Sequence, residues 1–175
     1  MTGISRILLF TGDGKGKTSA GVGLAFRASG HGLRSCIVQF VKSDASTGEV
    51  AAAAPGGSIE ILQCGLGFLP KLDSLQFAEH RLAAQRGWQQ AREILSSGRY
   101  AVVVLDEICV AVSRGLLAEQ EVIGGVAQTA PDTCVVLTGR NATAGLLALA
   151  DTATEMVCLK HGLSAGIPAQ KGIEW

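Results

Sequence analysis

The sequence lacks an excess of either charge. Its 175 residues carry 15 Lys and Arg against 15 Asp and Glu, so the formal net charge is +0 at pH 7. A protein that is drawn to nucleic acid or to an anionic membrane by its overall field needs a strong positive balance. We therefore expect neither partner, and any attraction for anions must come from a local cluster of basic side chains.

Long apolar runs are also missing. The stretch from Ile7 to Phe10 is too short for the core of a signal peptide, and no run approaches the length of a membrane span. The cysteines lie far apart without metal-binding spacing, which predicts reduced, buried thiols in a cytoplasmic protein. These cysteines are Cys36, Cys64, Cys109, Cys134 and Cys158.

A hydrolase triad is a third absence. No histidine stands at a spacing that pairs it with a nucleophile, and no serine has the glycine surroundings of a nucleophile elbow.

Hydrophobic residues make up 47% of the chain and charged residues 17%, which allows a substantial core. The length suits one domain that spans residues 1–175.

Short apolar strands alternate with helical stretches, a pattern that predicts an α/β fold: a mostly parallel sheet with helices on both faces, as in P-loop NTPases of the RecA-like type. The predicted strands have the Val, Ile and Leu content of strands buried on both sides. They cover residues 4–10, 35–40, 58–63, 101–105, 134–138 and 154–159. Helices are predicted after the first strand and at 75–96, 118–127 and 144–149. The apolar stripe of the longest one comprises Leu75, Ala78, Leu82, Trp88, Ala91 and Leu95.

The first strand runs into a glycine-rich loop with the features of a phosphate cradle. Gly12, Gly14 and Gly16 permit backbone conformations in which successive N–H groups point at phosphate oxygens. Lys17 adds a cation, and Thr18 adds a hydroxyl suited to a phosphate-bound Mg²⁺. The following helix directs its positive dipole end at the same place.

This loop is a variant of the general P-loop pattern. Counting back from Gly16 puts Thr11 where the first glycine of the pattern should stand. The alternative interpretation is an ordinary glycine-rich turn between a strand and a helix. The order of strand, loop, Gly-Lys-Thr and helix favours the phosphate cradle.

Two further strand ends carry charged side chains. Asp106 and Glu107 end the strand at 101–105, where a nucleotide-binding sheet places an acidic partner for Mg²⁺. Adjacent residues on a strand point to opposite sides, so both can face one metal only if the chain turns there. Otherwise one serves the metal while the other braces the loop, or both are solvated. Arg140 follows another strand and could hold phosphate oxygens, although a surface arginine fits equally well.

Together these motifs resemble the ATP:corrinoid adenosyltransferases of cobalamin synthesis and salvage, over almost the whole chain. The segments that carry the resemblance run from the glycine-rich loop to the C-terminus. They are 12–18, 39–42, 47–49, 67–68, 104–107, 138–140, 154–156, 160–161 and 166–174, the last of which contains the narrow Ala-Gln-Lys-Gly-Ile-Glu motif.

The resemblance implies transfer of the 5′-deoxyadenosyl group of ATP to the Co(I) of a reduced corrinoid, with release of triphosphate. The acceptor is an a,c-diamide corrinoid, cobinamide or complete cobalamin. It also implies Mg²⁺, with Mn²⁺ as an alternative hard cation, an electron-donating flavoprotein reductase as partner, and a homodimer. Co(I) is already a strong nucleophile, which agrees with the lack of an evident general base.

Site residues follow from the same resemblance. The triphosphate would lie in the loop formed by Gly12, Asp13, Gly14, Lys15, Gly16, Lys17 and Thr18. Thr18 and Glu107 would hold the metal, and Arg140 would contact the nucleotide. Phe68 matches an aromatic beside the corrinoid that helps to remove the lower axial cobalt ligand, which eases reduction of Co(II) to Co(I). Phe68 and Glu107 are therefore the expected catalytic residues.

The chain departs from the family pattern twice. Leu69 and Pro70 follow Phe68 where relatives place a second aromatic two positions after the Gly-Phe pair. This affects how the lower ligand is displaced or how well complete cobalamin is used. The chain also starts only a few residues before its first strand, so we expect a more open site, or one covered by a second subunit. Residues 66–75 could form an apolar wall facing the corrinoid, or they could pack in the core.

Two alternative functions are compatible with the loop. A P-loop kinase or NTPase would use Glu107 to orient an attacking water and would release ADP and phosphate instead of triphosphate. A nucleotide-binding regulatory module would bind ATP without turnover. The intact loop, the acidic pair and Arg140 favour an enzyme.

Overall fold

The computed structural model describes residues 5–53 and 56–174. Its centre is one six-stranded sheet in the order β3-β2-β4-β5-β1-β6, in which every neighbouring pair is parallel. The strands are β1 (Ile7–Thr11), β2 (Ser35–Gln39), β3 (Ile59–Gln63), β4 (Val102–Asp106), β5 (Cys134–Thr138) and β6 (Thr152–Glu155). The predicted fold class is confirmed, and residue 4 of the first predicted strand lies outside the described residues.

Helices cover both faces of this sheet. They are α1 (Lys17–Ser29), α2 (Gly48–Ala52), α3 (Leu75–Ser96), α4 (Ile108–Ser113), α5 (Glu119–Val126) and α6 (Ala144–Leu149), followed by a short 3-10 helix over Gly162–Ala165. Ala25 and Ala28 of α1 pack on one face, against Ile37, Val104 and Val136. The larger core lies on the other face, where buried residues of α3, α4, α5 and α6 meet the sheet. Within the described ranges, no helix is long and apolar enough to span a membrane.

The expectation that all strands are buried on both sides is wrong for the two edges. The middle of the sheet is buried, as in β2 and β4, but β3 is half-buried and every residue of β6 is exposed. The strand predicted at 154–159 is displaced, since β6 covers Thr152–Glu155 and does not reach Val157 or Leu159. Both of these side chains are exposed, and the strand ends before them.

The longest helix has the predicted bounds, but part of its predicted buried stripe is wrong. Leu75, Ala78 and Leu82 are exposed, whereas Trp88, Ala91 and Leu95 are buried as expected. Phe77 covers the sheet at the N-terminal end of α3 instead. Sequence periodicity also missed two short helices, α2 in a segment without a clear period and α4 directly after Glu107.

The prediction of buried cysteines is only partly correct. All five thiols are free, but Cys158 is exposed, and Cys64 and Cys134 are half-buried. Cys36 and Cys109 are buried, and burial raises the pKa of each thiol to about 12.

Candidate active site

The glycine-rich loop connects β1 to α1, and its backbone is shaped by the chain that follows β6. Gly12 and Gly16 have φ values of 92° and 115°, in the left-handed region that favours glycine. The Gly14 N–H donates to the Met156 carbonyl at 2.6 Å. A Cβ atom on Gly12 would lie 2.5 Å from that same oxygen. The loop therefore needs glycine for close approach to Met156 as well as for its torsion angles.

Thr11, which replaces the first glycine of the general pattern, has a structural role. It is the last residue of β1, and its hydroxyl accepts a hydrogen bond from the Ala142 N–H at 3.3 Å. Its carbonyl accepts from the Met156 N–H at 2.8 Å. The variant position thus ties the start of the loop to the chain on either side of α6 and β6.

Lys17 is the first residue of α1 and lies almost entirely inside the loop. Its side chain is only 8% exposed and donates to the carbonyls of Gly12 and Gly14 at 2.7 and 2.6 Å. Burial lowers the pKa of Lys17, and the nearby Glu107 carboxylate opposes that shift. A phosphate that entered the loop would offer this ammonium group a stronger, charge-assisted partner than neutral carbonyls.

Asp106 lies at the C-terminal end of β4 and is fully buried, at 0% exposure. Its Oδ1 accepts hydrogen bonds from the hydroxyls of Thr18 and Thr138, both at 2.7 Å. The Thr18 oxygen keeps lone pairs that can face the cleft while its proton points at Asp106. Of the two adjacent carboxylates, Asp106 is therefore the one that orients Thr18.

Glu107 reaches the cleft because the chain turns at this residue. Its φ is 62°, and it caps α4, so the strand alternation that would separate it from Asp106 ends here. Its backbone N–H donates to the Thr138 hydroxyl at 3.0 Å. Burial raises the pKa of Glu107, and the neighbouring Asp106 charge adds to the shift. Because the chain turns here, Glu107 lines the cleft, while Asp106 stays buried against the Thr18 and Thr138 hydroxyls.

An open cleft of about 570 Å³ lies in front of the loop. Its lining is strongly charged, with Lys15, Lys17 and Lys42 facing Glu49, Glu107 and Glu174. The C-terminal segment 170–174 forms one wall, where the Glu174 carboxylate makes an ion pair with Lys15. The narrow C-terminal motif of the sequence therefore contributes directly to this cleft.

Arg140 and Asp13 lie at the rim of the loop. The Nε atom of Arg140 is 3.8 Å from Oδ1 of Asp13, and both side chains are largely exposed. An exposed ion pair of this kind is weak. Arg140 is therefore free to exchange Asp13 for a nucleotide oxygen.

A polar cluster beside Asp106 was not predicted from the sequence. Lys42 donates to Oε1 of Glu49 at 2.6 Å, and the Gln39 amide nitrogen lies 3.3 Å from carboxylate oxygens of both Glu49 and Asp106. Gln63 donates to the Gln39 amide oxygen at 2.9 Å and so fixes the direction of that amide. Periodicity gave no signal, because these residues meet only where β2, β3, β4 and α2 come together.

Phe68 is fully exposed, at 101%, on the segment between β3 and α3. This segment lies against the chain that follows β2, since the Gly67 N–H donates to the Val41 carbonyl at 2.8 Å. Lys42, the next residue after Val41, lines the cleft. Of the two interpretations of residues 66–75, the structure favours the surface, because Leu66, Phe68, Leu72 and Leu75 are all exposed. Leu69 alone among the apolar side chains of 66–75 packs against the core.

The oxygen donors around Thr18 suit Mg²⁺. Across residues 5–53 and 56–174 there is no group of three His, Cys, Asp or Glu side chains that could hold a metal by themselves. Mg²⁺ is usually bound through one or two carboxylates together with substrate phosphates. A hydroxyl and a carboxylate beside a phosphate cradle form such a partial donor set.

Comparison with known proteins gives consistent results. The model of a family described as ATP:corrinoid adenosyltransferase BtuR/CobO/CobP matches residues 4–175. A corrinoid adenosyltransferase of Pseudomonas aeruginosa is 37% identical over 170 residues, which cover 97% of this chain and 83% of the relative. The corrinoid adenosyltransferase CobA of Salmonella typhimurium is 36% identical over 169 residues, which cover 97% of this chain and 85% of the relative.

Among solved structures, the flagellar accessory protein FlaH of Methanocaldococcus jannaschii is similar in fold. Its TM-score is 0.56 at 11% identity, and the match covers 89% of this chain and 72% of FlaH. At that identity the likeness concerns the fold alone.

Proposed function

The chain belongs to the ATP:corrinoid adenosyltransferase family, and on that premise we propose how its residues carry out the transfer. The enzyme adenosylates a corrinoid with ATP. In the proposed reaction, the Co(I) of the corrinoid substrate donates an electron pair to C5′ of ATP. A cobalt–carbon bond forms, the C5′–O bond breaks, and inorganic triphosphate leaves with that electron pair.

The observation that carries this proposal is the cleft itself. It presents a phosphate cradle and oxygen donors, and none of the described residues that line it is a histidine or a cysteine. A reaction in which the substrate supplies the nucleophile needs position and leaving-group stabilisation from the protein. Residues 12–16 and Lys17 would bind the triphosphate, and Arg140 would contact the nucleotide from the rim.

Thr18 and Glu107 would hold Mg²⁺, or Mn²⁺ in its place, with Asp106 orienting the Thr18 hydroxyl. When bound, such an ion neutralises charge on the polyphosphate. Asp106 is fully buried and already engaged by two hydroxyls, which supports Glu107 as the carboxylate that faces the ligand.

Phe68 would contact the corrinoid and help to displace the lower axial ligand of cobalt. Its complete exposure supports this role, because an aromatic side chain that covers nothing in its own chain is available to an apolar ligand face. Leu66, Leu72 and Leu75 would extend the same apolar surface. The proposed system also includes a second copy of the chain and an electron-donating flavoprotein reductase, both carried over from the family resemblance. We place it in the cytoplasm because of its widely spaced free cysteines.

An anaerobic assay tests the proposal. The protein is mixed with ATP, Mg²⁺ and chemically reduced cobinamide or cobalamin, the Co(I) absorbance is followed, and the released polyphosphate is identified. We expect a light-sensitive adenosylcorrinoid and triphosphate in equal amounts. ADP and phosphate without alkylation would instead indicate an NTPase in which Glu107 orients water, and ATP binding without any product would indicate a regulatory module.

A further inference from the structure

Lys42 is a cation of the cleft that lies on a different part of the sheet from Lys15 and Lys17. It follows β2, whereas Lys17 follows β1, and β4 and β5 separate these two strands in the sheet. Three strand spacings place the two strands about 14 Å apart. Both lysines nevertheless line the same cleft. The cleft is therefore bounded by positive charge on two sides.

The Lys42 ammonium group is held by two carboxylates, those of Glu49 and Asp106. Its ammonium group donates to Glu49 at 2.6 Å and lies 3.8 Å from Oδ2 of Asp106. The Lys42 side chain is 32% exposed while that of Glu49 is 16% exposed. An ammonium group has three donors, so capacity remains on the side that faces the cleft. The pair is buried on one side and open to a ligand on the other.

Hydrogen bonds fix the side chains that surround the Lys42–Glu49 pair. The Gln39 amide nitrogen lies between the Glu49 and Asp106 carboxylates, and Gln63 fixes the orientation of that amide. Burial acts to raise the pKa of Glu49, but hydrogen bonds from Lys42 and Gln39 outweigh it and lower the pKa. Glu49 therefore remains ionised and keeps Lys42 in place while no anion is bound.

Charge balance explains why such an arrangement matters for a polyanion. Three lysines face three glutamates along the cleft, and Asp106 is buried behind them. A triphosphate gains from these lysines only where it can compete with the carboxylates for them. Glu49, the carboxylate partner of Lys42, also accepts a hydrogen bond from the Gln39 amide, so Glu49 keeps a donor when the lysine turns away.

The geometry points to Lys42 as a further triphosphate-binding residue outside the glycine-rich loop, held by Glu49 in the free enzyme and turned toward phosphate oxygens outside the cradle when ATP binds. This inference rests on the proposed function, in which triphosphate is the leaving group. Lys42 then stabilises the charge that develops on the triphosphate as the C5′–O bond breaks, complementing Lys17 inside the loop.

The test is a calorimetric titration with inorganic triphosphate in the absence of corrinoid, with Mg²⁺ present and with Mg²⁺ chelated. We expect Lys42→Met to weaken triphosphate binding by about 10- to 100-fold, the value of a charge-assisted hydrogen bond. Arg86→Met removes an exposed positive charge on α3, away from the cleft, and serves as the charge-matched control with unchanged binding. Equal effects of the two substitutions, or no effect of Lys42→Met, would overturn the inference.

Glu49→Gln provides the opposite perturbation. It releases Lys42 and removes an anion, so triphosphate should bind more tightly than in the unchanged protein. The double variant Lys42→Met/Glu49→Gln leaves no unpaired charge at the pair, and it covers the case in which Lys42→Met alone fails to fold. Its affinity should fall below that of Glu49→Gln; equal affinities of these two variants would contradict the inference.

Lys17→Ala separates this inference from the proposed function. Loss of triphosphate binding in Lys17→Ala, with unchanged binding in Lys42→Met, would refute the role of Lys42 and leave the cradle intact. Unchanged binding in Lys17→Ala would instead refute the cradle itself.

Discussion

The two sides of the proposed active site are built differently. The nucleotide side is held from within the chain, by Met156 behind the glycines, by loop carbonyls around Lys17 and by threonine hydroxyls on Asp106. The segment that carries Phe68 is pinned through its backbone to Val41 but leaves its apolar side chains exposed. The cradle is therefore already shaped in the free protein, whereas the apolar surface gains its burial energy only when a ligand or a second chain covers it.

Substitution of the loop glycines should have the largest effect, because it changes the loop conformation that the free protein already has. A Cβ atom on Gly12 or Gly14 would lie 2.5 or 2.7 Å from the Met156 carbonyl oxygen. Strain of this kind costs about 1–3 kcal/mol. We expect Gly12→Ala and Gly14→Ala each to weaken ATP binding by about 10- to 100-fold or more, measured by calorimetry.

Gly124→Ala is the matched control for these variants. Gly124 lies within α5, and a Cβ atom there would meet nothing within 4 Å. Alanine should stabilise this helix by up to about 1 kcal/mol and leave ATP affinity unchanged. If the loop substitutions were equally harmless, Met156 would not shape the cradle.

Glu107→Gln should affect the nucleotide side more selectively. The substitution keeps the shape of the side chain and removes its charge, so we expect the Mg²⁺ concentration needed for half-maximal turnover to rise by about 10- to 100-fold. Asp106→Asn should act differently, because it disturbs two buried hydrogen bonds. We expect the melting temperature of this variant to fall. An unchanged Mg²⁺ requirement in Glu107→Gln would move the metal-binding role to Asp106.

Phe68→Ala should change the other side without disturbing the fold. Because this side chain is fully exposed, its removal should change the free energy of unfolding by no more than about 0.5 kcal/mol. The melting temperature should therefore stay nearly the same. Adenosylation of cobalamin should fall several-fold to about tenfold, while that of a corrinoid without a lower axial base should fall less. Equal losses with both acceptors would argue against a role in ligand displacement.

The smallest effect is expected in the alkylation of the cysteines, which reports whether the sheet under both sides of the site stays closed. Cys158 is exposed, whereas burial raises the pKa of the Cys36 and Cys109 thiols to about 12. Iodoacetamide at pH 8 should therefore alkylate Cys158 first and reach Cys36 and Cys109 only on unfolding, as read by mass spectrometry of the peptides. Rapid alkylation of Cys36 in the native protein would show that the supporting sheet opens.

The sequence was most informative where function restricts it to particular residues. The loop from Gly12 to Thr18, the acidic pair and Arg140 could all be identified as candidate site residues, because nucleotide-binding sheets carry such a loop after a strand and charged residues at strand ends. From the sequence we could say only that Asp106 and Glu107 would both face one metal if the chain turned at Glu107. A left-handed conformation at a glutamate has no sequence signature, and α4 is too short to show helical periodicity.

Prediction failed where pairing and packing decide the outcome. The strand β6 is exposed on both sides, so no apolar pattern marks Thr152–Glu155, and the nearby Val157 and Leu159 drew the prediction past its end. In α3 the bounds are right, but Leu75 and Leu82 are exposed while Phe77 and Trp88 are buried in the core. The cluster around Lys42 needed the strand order, which a single sequence does not contain.

Met156 also has a consequence for when the protein becomes competent during its synthesis. The phosphate loop lies near the beginning of the chain, but its Gly14 N–H is satisfied by Met156, close to the end. A contact between such distant residues forms late, because the intervening chain must be ordered first. A ribosome-bound chain that has emerged only as far as β5 would carry the whole loop sequence and still lack its backing. ATP affinity should therefore appear only after Met156 has been released and β6 has paired with β1.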